Sequence, residues 1–355
     1  MSGPSRVSII GASGYVGGEL LRILSRHPGV EIVAAHSRQH AGEYVHRVHP
    51  NLKGVIDLQF TGEDPVKVAS NSDLVFLSVP HGTSVKITPK LMELGVRLVD
   101  MSADFRLKDP SAYEVWYHYR HPYPDLLDKF VYGLPELHRD ELRGARYASA
   151  PGCNAAAAIL GLAPLARHGL VANGTIVVDV KVGSSGAGGK PSPATHFSER
   201  YGVVRPYSPA GHRHVAEIEQ ELRIASGRSY TIAMSAHAVN IVRGILSTSH
   251  AFTDSGNMDQ ARIWRAYRET YREEPFIRFV RDKKGIFRYP DPKIVVGSNF
   301  ADIGFELDPH TNRIVVLSAI DNLMKGAAGS AVQAMNLMLG FDERTALDAP
   351  PLHPV

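Results

Sequence analysis

The sequence predicts an α/β protein in two parts, a doubly wound parallel sheet at the N-terminal end and an α+β domain after it. Three observations predict this. Strand-like and helix-like runs alternate through the first 150 residues. A glycine-rich turn sits directly between the first strand and the first helix. After Cys153 the pattern changes to long β-rich runs interrupted by only a few helices. A chain of 355 residues is long enough for two domains of ordinary size, each with its own core.

The elements follow in order. "RVSII" is an apolar run that stops at Gly11, and "YVGGELLRILSRHP" then places Val16, Leu20, Leu21 and Leu24 at helical spacing. "VEIVAAHS", "DLVFLSVP" and "VRLVDMS" read as further strands, each closed by Ser or Pro. Between the last two, "HGTSVKITPKLMELG" reads as a helix closed by Gly95. Repeated strand–helix–strand units argue for a parallel sheet. The stretch from Gly144 to Gly152 is the expected crossover. Beyond it, "TIVVDVKV", "TIAMSAHAVNIVRGILSTSHAF" and "RIVVLSAI" are β-rich, while "HVAEIEQELRIAS" and "MDQARIWRAYRETYREE" are helical. "GAAGSAVQAMNLMLGF" is a final helix with small residues on one side, expected to return to the first domain. The expected boundaries are therefore 1–152, joined by the helix 326–340, and 153–325. The tail "DAPPLHPV" is Pro-rich and should end as an extended strap.

Composition excludes several classes. Apolar residues make up 44% and charged residues 21%, as in soluble globular chains. No apolar run of about 18 residues occurs, so no membrane span is expected. The first residues, "MSGPSRVSIIGASGY", lead straight into a strand, so no signal or transit peptide is expected. With one cysteine, a cytoplasmic location is expected. The net charge is +3 and the pI about 8.8, a mildly basic balance that suits acidic metabolites or an acidic partner. Lys/Arg blocks with interleaved aromatics are missing, which argues against nucleic acid. No metal site is expected, because a lone thiol cannot build a thiolate cage.

"SIIGASGYVGGEL" places Gly11, Gly14 and Gly17 after a strand and into a helix, a variant of the dinucleotide fingerprint. The spacing alone is weak; its strand–turn–helix context gives it force. A pyrophosphate would rest on the helix N-terminus. An NAD site usually offers an acid at the end of the second strand. Here that position reads "AAHSRQHAG", with Ser37 and Arg38 and no acid. A hydroxyl with a guanidinium suits a 2′-phosphate, so NADP(H) is the expected cofactor. The plain alternative is an exposed Ser-Arg turn.

Cys153 is the only cysteine, and it stands between Pro-Gly and "NAAAAILGLAPL", a strong helix former. Lone cysteines are usually buried and inert. A thiol at a helix N-terminus, however, has its pKa lowered by the dipole and the free N–H groups, and the thiolate is the nucleophile. A nucleophilic cysteine with NADPH implies attack on an activated acyl group, a thioester, and hydride reduction to an aldehyde. "SPAGHRHVAEIEQEL" offers His212 and His214 as acid/base or substrate-binding partners, with Glu217 behind them as a helix cap. With 17 histidines in the chain, most must be structural. "VKVGSSGAGGKPSPATHFSER" offers Ser184, Ser185 and Gly186, whose backbone N–H groups could bind an anion, with Lys190 nearby. A plain flexible loop is the alternative.

Together these residues resemble the type 1 N-acetyl-gamma-glutamyl-phosphate reductase family, related to aspartate-semialdehyde dehydrogenases. The likeness runs over nearly the whole chain, through "GASGYVGGELLRIL", "HSRQHAG", "DMSADFRLKDP", "APGCNA", "GSSGAG", "GHRHVAEIEQEL" and "AIDNLMKGAAGSAVQAMN". It implies a Rossmann domain, an α+β domain of the semialdehyde dehydrogenase type carrying the dimer contacts, and Cys153 as nucleophile. It further implies cofactor contacts from Ser13, Gly14, Tyr15 and Val16, from Ser37, Arg38 and Gln39, and from Asn322 near the nicotinamide. A homo-oligomer, dimer or tetramer, is implied as well.

One departure matters. Arginine-pathway members usually carry Tyr-Pro-Thr after the cysteine, whereas Asn154, Ala155 and Ala156 follow here. That start, with "SADFRLKDP", "HPYPDLL", "EEPFIRFV", "KKGIFRYPDP" and "ADIGFELD", looks more like the lysine-pathway branch. Those enzymes reduce 2-aminoadipate 6-phosphate while its amino group is held on a small acidic carrier protein. The expected reaction is thus NADPH-dependent reduction of a carrier-bound acyl phosphate to a semialdehyde. N-acetylglutamyl phosphate, or the glutamate analogue on the same carrier, is the alternative substrate. A thiol redox sensor that binds NADP is the alternative from another class, and the His pair and Ser-Gly turn count against it.

Overall fold

The computed structural model of the chain describes residues 3–253 and 258–355. The chain divides into two compact units, residues 1–151 with 327–349, and residues 152–326 with 350–355.

The first unit is built on a parallel sheet. Its strands are β1 (Ser5–Ile10), β2 (Val30–His36), β3 (Phe60–Thr61), β4 (Leu74–Leu77), β5 (Arg97–Asp100), β6 (Val131–Tyr132) and β7 (Tyr147–Ser149). They lie in the order β3-β2-β1-β4-β5-β7-β6, every pair parallel. β4, "LVFL", is buried at all four positions, as a strand covered on both faces must be. The order reverses between β1 and β4, which makes the end of β1 a topological switch point. The helix Tyr15–Leu24 leaves from there and buries Leu20, Leu21, Ile23 and Leu24. The helix Gly329–Leu339 belongs to this unit too and is buried from Gly329 to Met338. Its Asn336 meets His27 at 2.9 Å, and its Gln333 donates to Glu343 at 2.8 Å.

The second unit is built on a mixed sheet. Its strands are β8 (Thr175–Val182), β9 (Val204–Ser208), β10 (Thr231–Val239), β11 (Ile245–Phe252), β12 (Ile277–Phe279), β13 (Ala301–Asp308) and β14 (Arg313–Ile320). The order is β12-β13-β14-β11-β8-β10-β9, with β8/β10 and β12/β13 parallel and the rest antiparallel. β8, β10 and β11 alternate between buried and more exposed positions, so one face of the sheet carries the core. The helix Cys153–Arg167 packs there and is buried from Asn154 to Ala166. Its small residues let the sheet approach: a Cβ on Gly161 would fall 2.9 Å from Val316 Cγ1. Tyr267 and Tyr271, on the helix Gln260–Tyr271, donate their hydroxyls to the carbonyls of Gly161 and Leu160 at 2.7 and 2.9 Å. Among the described residues no helix is long and apolar enough to cross a membrane, and no group of three or more His, Cys, Asp or Glu could hold a metal ion.

Candidate active site

In the first unit the glycine-rich turn has the shape of a dinucleotide cradle. Gly11 has φ +85°, and a Cβ there would fall 2.1 Å from the Ser78 carbonyl oxygen, so only glycine fits between β1 and the segment after β4. Gly17 presses on Ala12, where a Cβ would lie 2.6 Å from Ala12 Cα. Gly14 is different: a Cβ there would meet only the Gly11 carbonyl oxygen at 3.8 Å. It caps the helix Tyr15–Leu24 with no side-chain cap hydrogen bond. A helix N-terminus without a capping side chain suits a pyrophosphate. Ser37 Oγ donates to Ser13 Oγ at 2.9 Å, which ties the end of β2 to the turn. Arg38 and Gln39 beside it are exposed, and Arg38 makes no hydrogen bond or ion pair among the described residues. Tyr15 is exposed and Val16 half-buried. These residues fit an NAD(P) cofactor, with the guanidinium of Arg38 available to an anionic ribose substituent.

The second unit holds a separate pocket of about 340 Å³, lined by Cys153, Asn154, Ser184, Gly186, His212 and His214 among others. Cys153 is the first residue of its helix and half-buried, with Gly152 as N-cap. The Gly152 N–H donates to Glu217 Oε2 at 2.8 Å, and Glu217 is fully buried. His214 lies against the same turn: a Cβ on Gly152 would fall 2.6 Å from His214 Nε2 and 2.7 Å from Glu217 Oε1. His214 Nε2 is 3.9 Å from Glu217 Oε1, too far for a hydrogen bond between those two atoms. On the other side, a Cβ on Gly326 would fall 2.9 Å from Cys153 Cβ. The nucleophile candidate is thus seated between two glycines and backed by a buried carboxylate. Glu217, the expected helix cap, stands in the first turn of the helix Val215–Ser226, and its carboxylate also accepts the Gly152 N–H from a distant part of the chain.

His212 and His214 are brought together, ring centroids 4.5 Å apart and nearly perpendicular. The His214 backbone N–H donates to His212 Nδ1 at 3.1 Å. Nδ1 is therefore the acceptor nitrogen, and the neutral ring carries its proton on Nε2. Burial, and then the neighbouring Arg213 guanidinium, push the His212 imidazole down to about 4. Near pH 7 the ring is neutral and offers an N–H donor. That donor can stabilise a developing oxyanion.

The Ser184–Gly186 turn differs from expectation. It is a short 3-10 helix, Ser184–Ala187, and its N–H groups are engaged. Those of Ser184 and Ser185 donate to the carbonyls of Ile241 and Val242 at 2.9 and 3.0 Å, and that of Gly186 donates to Gly183 at 3.2 Å. The turn between β10 and β11 supplies the Ile241 and Val242 acceptors. No N–H group of Ser184, Ser185 or Gly186 is left to cradle an anion. Asn322 braces the same turn from behind: its Nδ2 donates to Ser185 Oγ at 2.9 Å, and its Oδ1 accepts from the Gly244 N–H at 2.8 Å. Positive charge in the pocket comes instead from Arg200, Arg205 and Arg213. Burial, and then the Arg205 guanidinium, lower the pKa of Arg200. Two guanidiniums that repel each other gain from an anion placed between them. Sequence reading passed over both arginines and Tyr207, because "SERYGVVRPYS" shows no motif.

Residues 6–145 match the model of the semialdehyde dehydrogenase NAD binding domain, and residues 153–322 match the model of the semialdehyde dehydrogenase dimerisation domain. The chain is 54% identical over 350 residues to a protein of Nitrosopumilus maritimus named as a LysW-L-2-aminoadipate/LysW-L-glutamate phosphate reductase, covering 99% of this chain and 100% of the relative. A Pyrobaculum aerophilum protein of the same name is 56% identical over 352 residues, covering 99% and 100%. A Thermomicrobium roseum protein named as a LysW-L-2-aminoadipate 6-phosphate reductase is 54% identical over 353 residues, covering 98% and 99%. Among solved structures, aspartate semialdehyde dehydrogenase II of Vibrio cholerae superposes with a TM-score of 0.70 at 18% identity, covering 96% of this chain and 99% of that one.

Proposed function

The chain belongs to the semialdehyde dehydrogenase family, and from that premise we propose that it is an NADPH-dependent reductase of an acyl phosphate in lysine biosynthesis. Its substrate is L-2-aminoadipate 6-phosphate held by the amino group on a carrier protein, and its products are the semialdehyde and phosphate. The observation that carries the reaction type is the Cys153 seat: a thiol on the first turn of a buried helix, in one pocket with His212 and three arginines. The names of the full-length relatives support the substrate and the carrier. Those names include glutamate, so the glutamate analogue on the same carrier is the second reading. The dimerisation description of the second matched model supports a homo-oligomer.

Each residue then has a task. Arg200 and Arg205 hold the phosphoryl oxygens. Cys153 Sγ attacks the acyl carbon, the C–O bond to phosphate breaks, and a thioester forms with release of phosphate. NADPH, for which the glycine-rich turn would provide the seat, would supply the hydride that the reduction of the thioester requires. His212 donates from Nε2 to the acyl oxygen as it takes up negative charge. That oxygen re-forms the carbonyl, the C–S bond breaks, and the aldehyde leaves with the thiolate regenerated. No step needs an imidazolium, in keeping with a ring that is neutral at pH 7.

Two experiments test the reading. Steady-state rates with carrier-linked aminoadipate semialdehyde, carrier-linked glutamate semialdehyde and N-acetylglutamate semialdehyde, run with NADP and phosphate, should rank in that order. The carrier-linked compounds should lose kcat/KM between low and roughly 0.3 M salt, because exposed charges are screened over that range. A tenfold preference for the N-acetylated compound would move the chain to arginine synthesis. For the cofactor, Arg38→Ala should weaken NADPH about ten- to a hundredfold and leave NADH nearly unchanged, since a charge-assisted contact is worth about 1.5–3 kcal/mol. Equal losses for both would make Arg38 a structural residue.

A further inference from the structure

Asn154 is the second residue of the Cys153 helix, so its backbone is fixed, and it is only 2% exposed. Its side-chain amide touches two groups. Oδ1 takes the Cys153 thiol at 3.8 Å from Sγ, and Nδ2 donates to Tyr207 Oη at 3.1 Å. Tyr207 comes from the edge strand β9 and is 47% exposed, with its ring edge-on to His212 at 5.9 Å. Burial acts first on the Tyr207 hydroxyl and raises its pKa, so it stays protonated and able to donate.

A carbonyl oxygen facing sulfur suits a thiol and opposes a thiolate. Once the proton leaves Sγ for solvent, the sulfur accepts hydrogen bonds and no longer donates one. The amide can answer by turning half a revolution about its last bond, which exchanges O and N at almost no change in shape. Its partner on the far side permits this, because a tyrosine hydroxyl accepts from Nδ2 in one state and donates to Oδ1 in the other. We infer that Asn154, held by Tyr207, is a positioning residue for the nucleophile: its amide presents oxygen to the thiol and an N–H to the thiolate, and so favours ionisation of Cys153. The inference rests on Cys153 being the nucleophile, and it gives a task to the Asn that follows the cysteine.

Other titratable and charged groups also lie around the sulfur. His212 and His214 and the arginines Arg200, Arg205 and Arg213 line the same pocket, and Glu217 sits behind Gly152. On the segment that reaches Gly326, Asp321 accepts from the N–H groups of Gly297 and Leu323, and Lys325 lies over the Phe276 ring. All of these remain when only Asn154 or Tyr207 is changed.

The chain has a single cysteine, so iodoacetamide labelling of the full-length protein reports on Cys153 alone. The labelling rate measured against pH gives the midpoint of thiolate formation without any substrate. Asn154→Ala should raise that midpoint by about one pH unit, the scale of a hydrogen bond to a charged group. Asn154→Asp keeps the shape but replaces the N–H donor with an oxygen, and should raise it further. Tyr207→Phe, at a half-exposed site where folding is safe, should raise it less than Asn154→Ala, because the amide remains but loses its hold. Unchanged midpoints in Tyr207→Phe and Asn154→Asp would overturn the inference. A fall in Tyr207→Phe would also overturn it, since the amide oxygen would then face sulfur in both states. If Cys153 proves dispensable for turnover, the functional reading fails separately; if it is essential and the midpoints do not move, only the role of Asn154 fails.

Discussion

Cys153→Ser is expected to bind NADPH normally and to lose about 10⁴-fold or more in turnover, the scale seen when the nucleophile of a catalytic constellation is removed. The physical reason is ionisation. The seat at the start of the helix Cys153–Arg167 favours an anion through the helix dipole, but a serine hydroxyl is too weak an acid to profit at pH 7. The substitution is nearly isosteric, and Gly152 and Gly326 still enclose the position, so the fold should survive. Fluorescence titration with NADPH separates binding from chemistry. Turnover is read from semialdehyde, NADP and phosphate. A serine variant that keeps more than a few per cent of activity would remove the thioester from the mechanism.

Much of this seat was legible in the sequence. Pro-Gly-Cys before a run of alanines signals a turn and then a helix; the helix begins at Cys153, and Gly152 leads into it in an extended conformation rather than a turn. The glycine-rich turn was legible as well, because Gly11 takes φ +85°, a conformation that glycine supplies most readily. The apolar strands β1, β2, β4 and β5 announce themselves as runs closed by turn residues. β3 and β6 do not, since a two-residue strand carries no period. β13, "ADIGFELD", hides behind its charges. Asp302 is buried inside it because Arg278 of β12 clamps its carboxylate at 2.6 and 2.9 Å, and Arg281 covers Glu306. Such pairing exists only after the strands have met.

The site shows the same division. Glu217 meets the Gly152 N–H across 65 residues of chain, and no local pattern marks a partner at that distance. Arg200, Arg205 and Tyr207 reach the pocket through edge strand β9 and the segment before it. The expectation that Ser184, Ser185 and Gly186 would bind an anion through their N–H groups fails for a related reason. Ile241 and Val242, more than fifty residues away, bring carbonyls to the N–H groups of Ser184 and Ser185, and Gly183 takes that of Gly186. Sequence reading finds groups whose chemistry is set by their neighbours in the chain. It misses those whose chemistry is set by what the sheet later places beside them.

Gly152→Ala tests that second kind of dependence, and its effect should be the next largest. Gly152 has φ −69° and ψ 137°, values that alanine adopts freely, so the backbone conformation is no obstacle. The obstacle is space. The added Cβ would lie 2.6 Å from His214 Nε2 and 2.7 Å from Glu217 Oε1. Neither neighbour can give way cheaply, because Glu217 is fully buried, His214 is 5% exposed, and both open a helix packed on the Cys153 helix. Either the turn lifts, which breaks the 2.8 Å bond from the Gly152 N–H to Glu217, or the histidine pair shifts. Both outcomes displace Sγ relative to His212. A misplacement of about 1 Å costs roughly a hundredfold in rate, and overpacking of this kind costs about 1–3 kcal/mol in stability. We therefore expect kcat to fall about a hundredfold with a modest drop in Tm. Gly144→Ala is the control, since a Cβ there meets nothing within 4 Å, and it should be silent in both measurements. Near-native kcat in Gly152→Ala would show that the buried Glu217 and His214 do not set the position of the thiol, and the account of the seat given above would have to be abandoned.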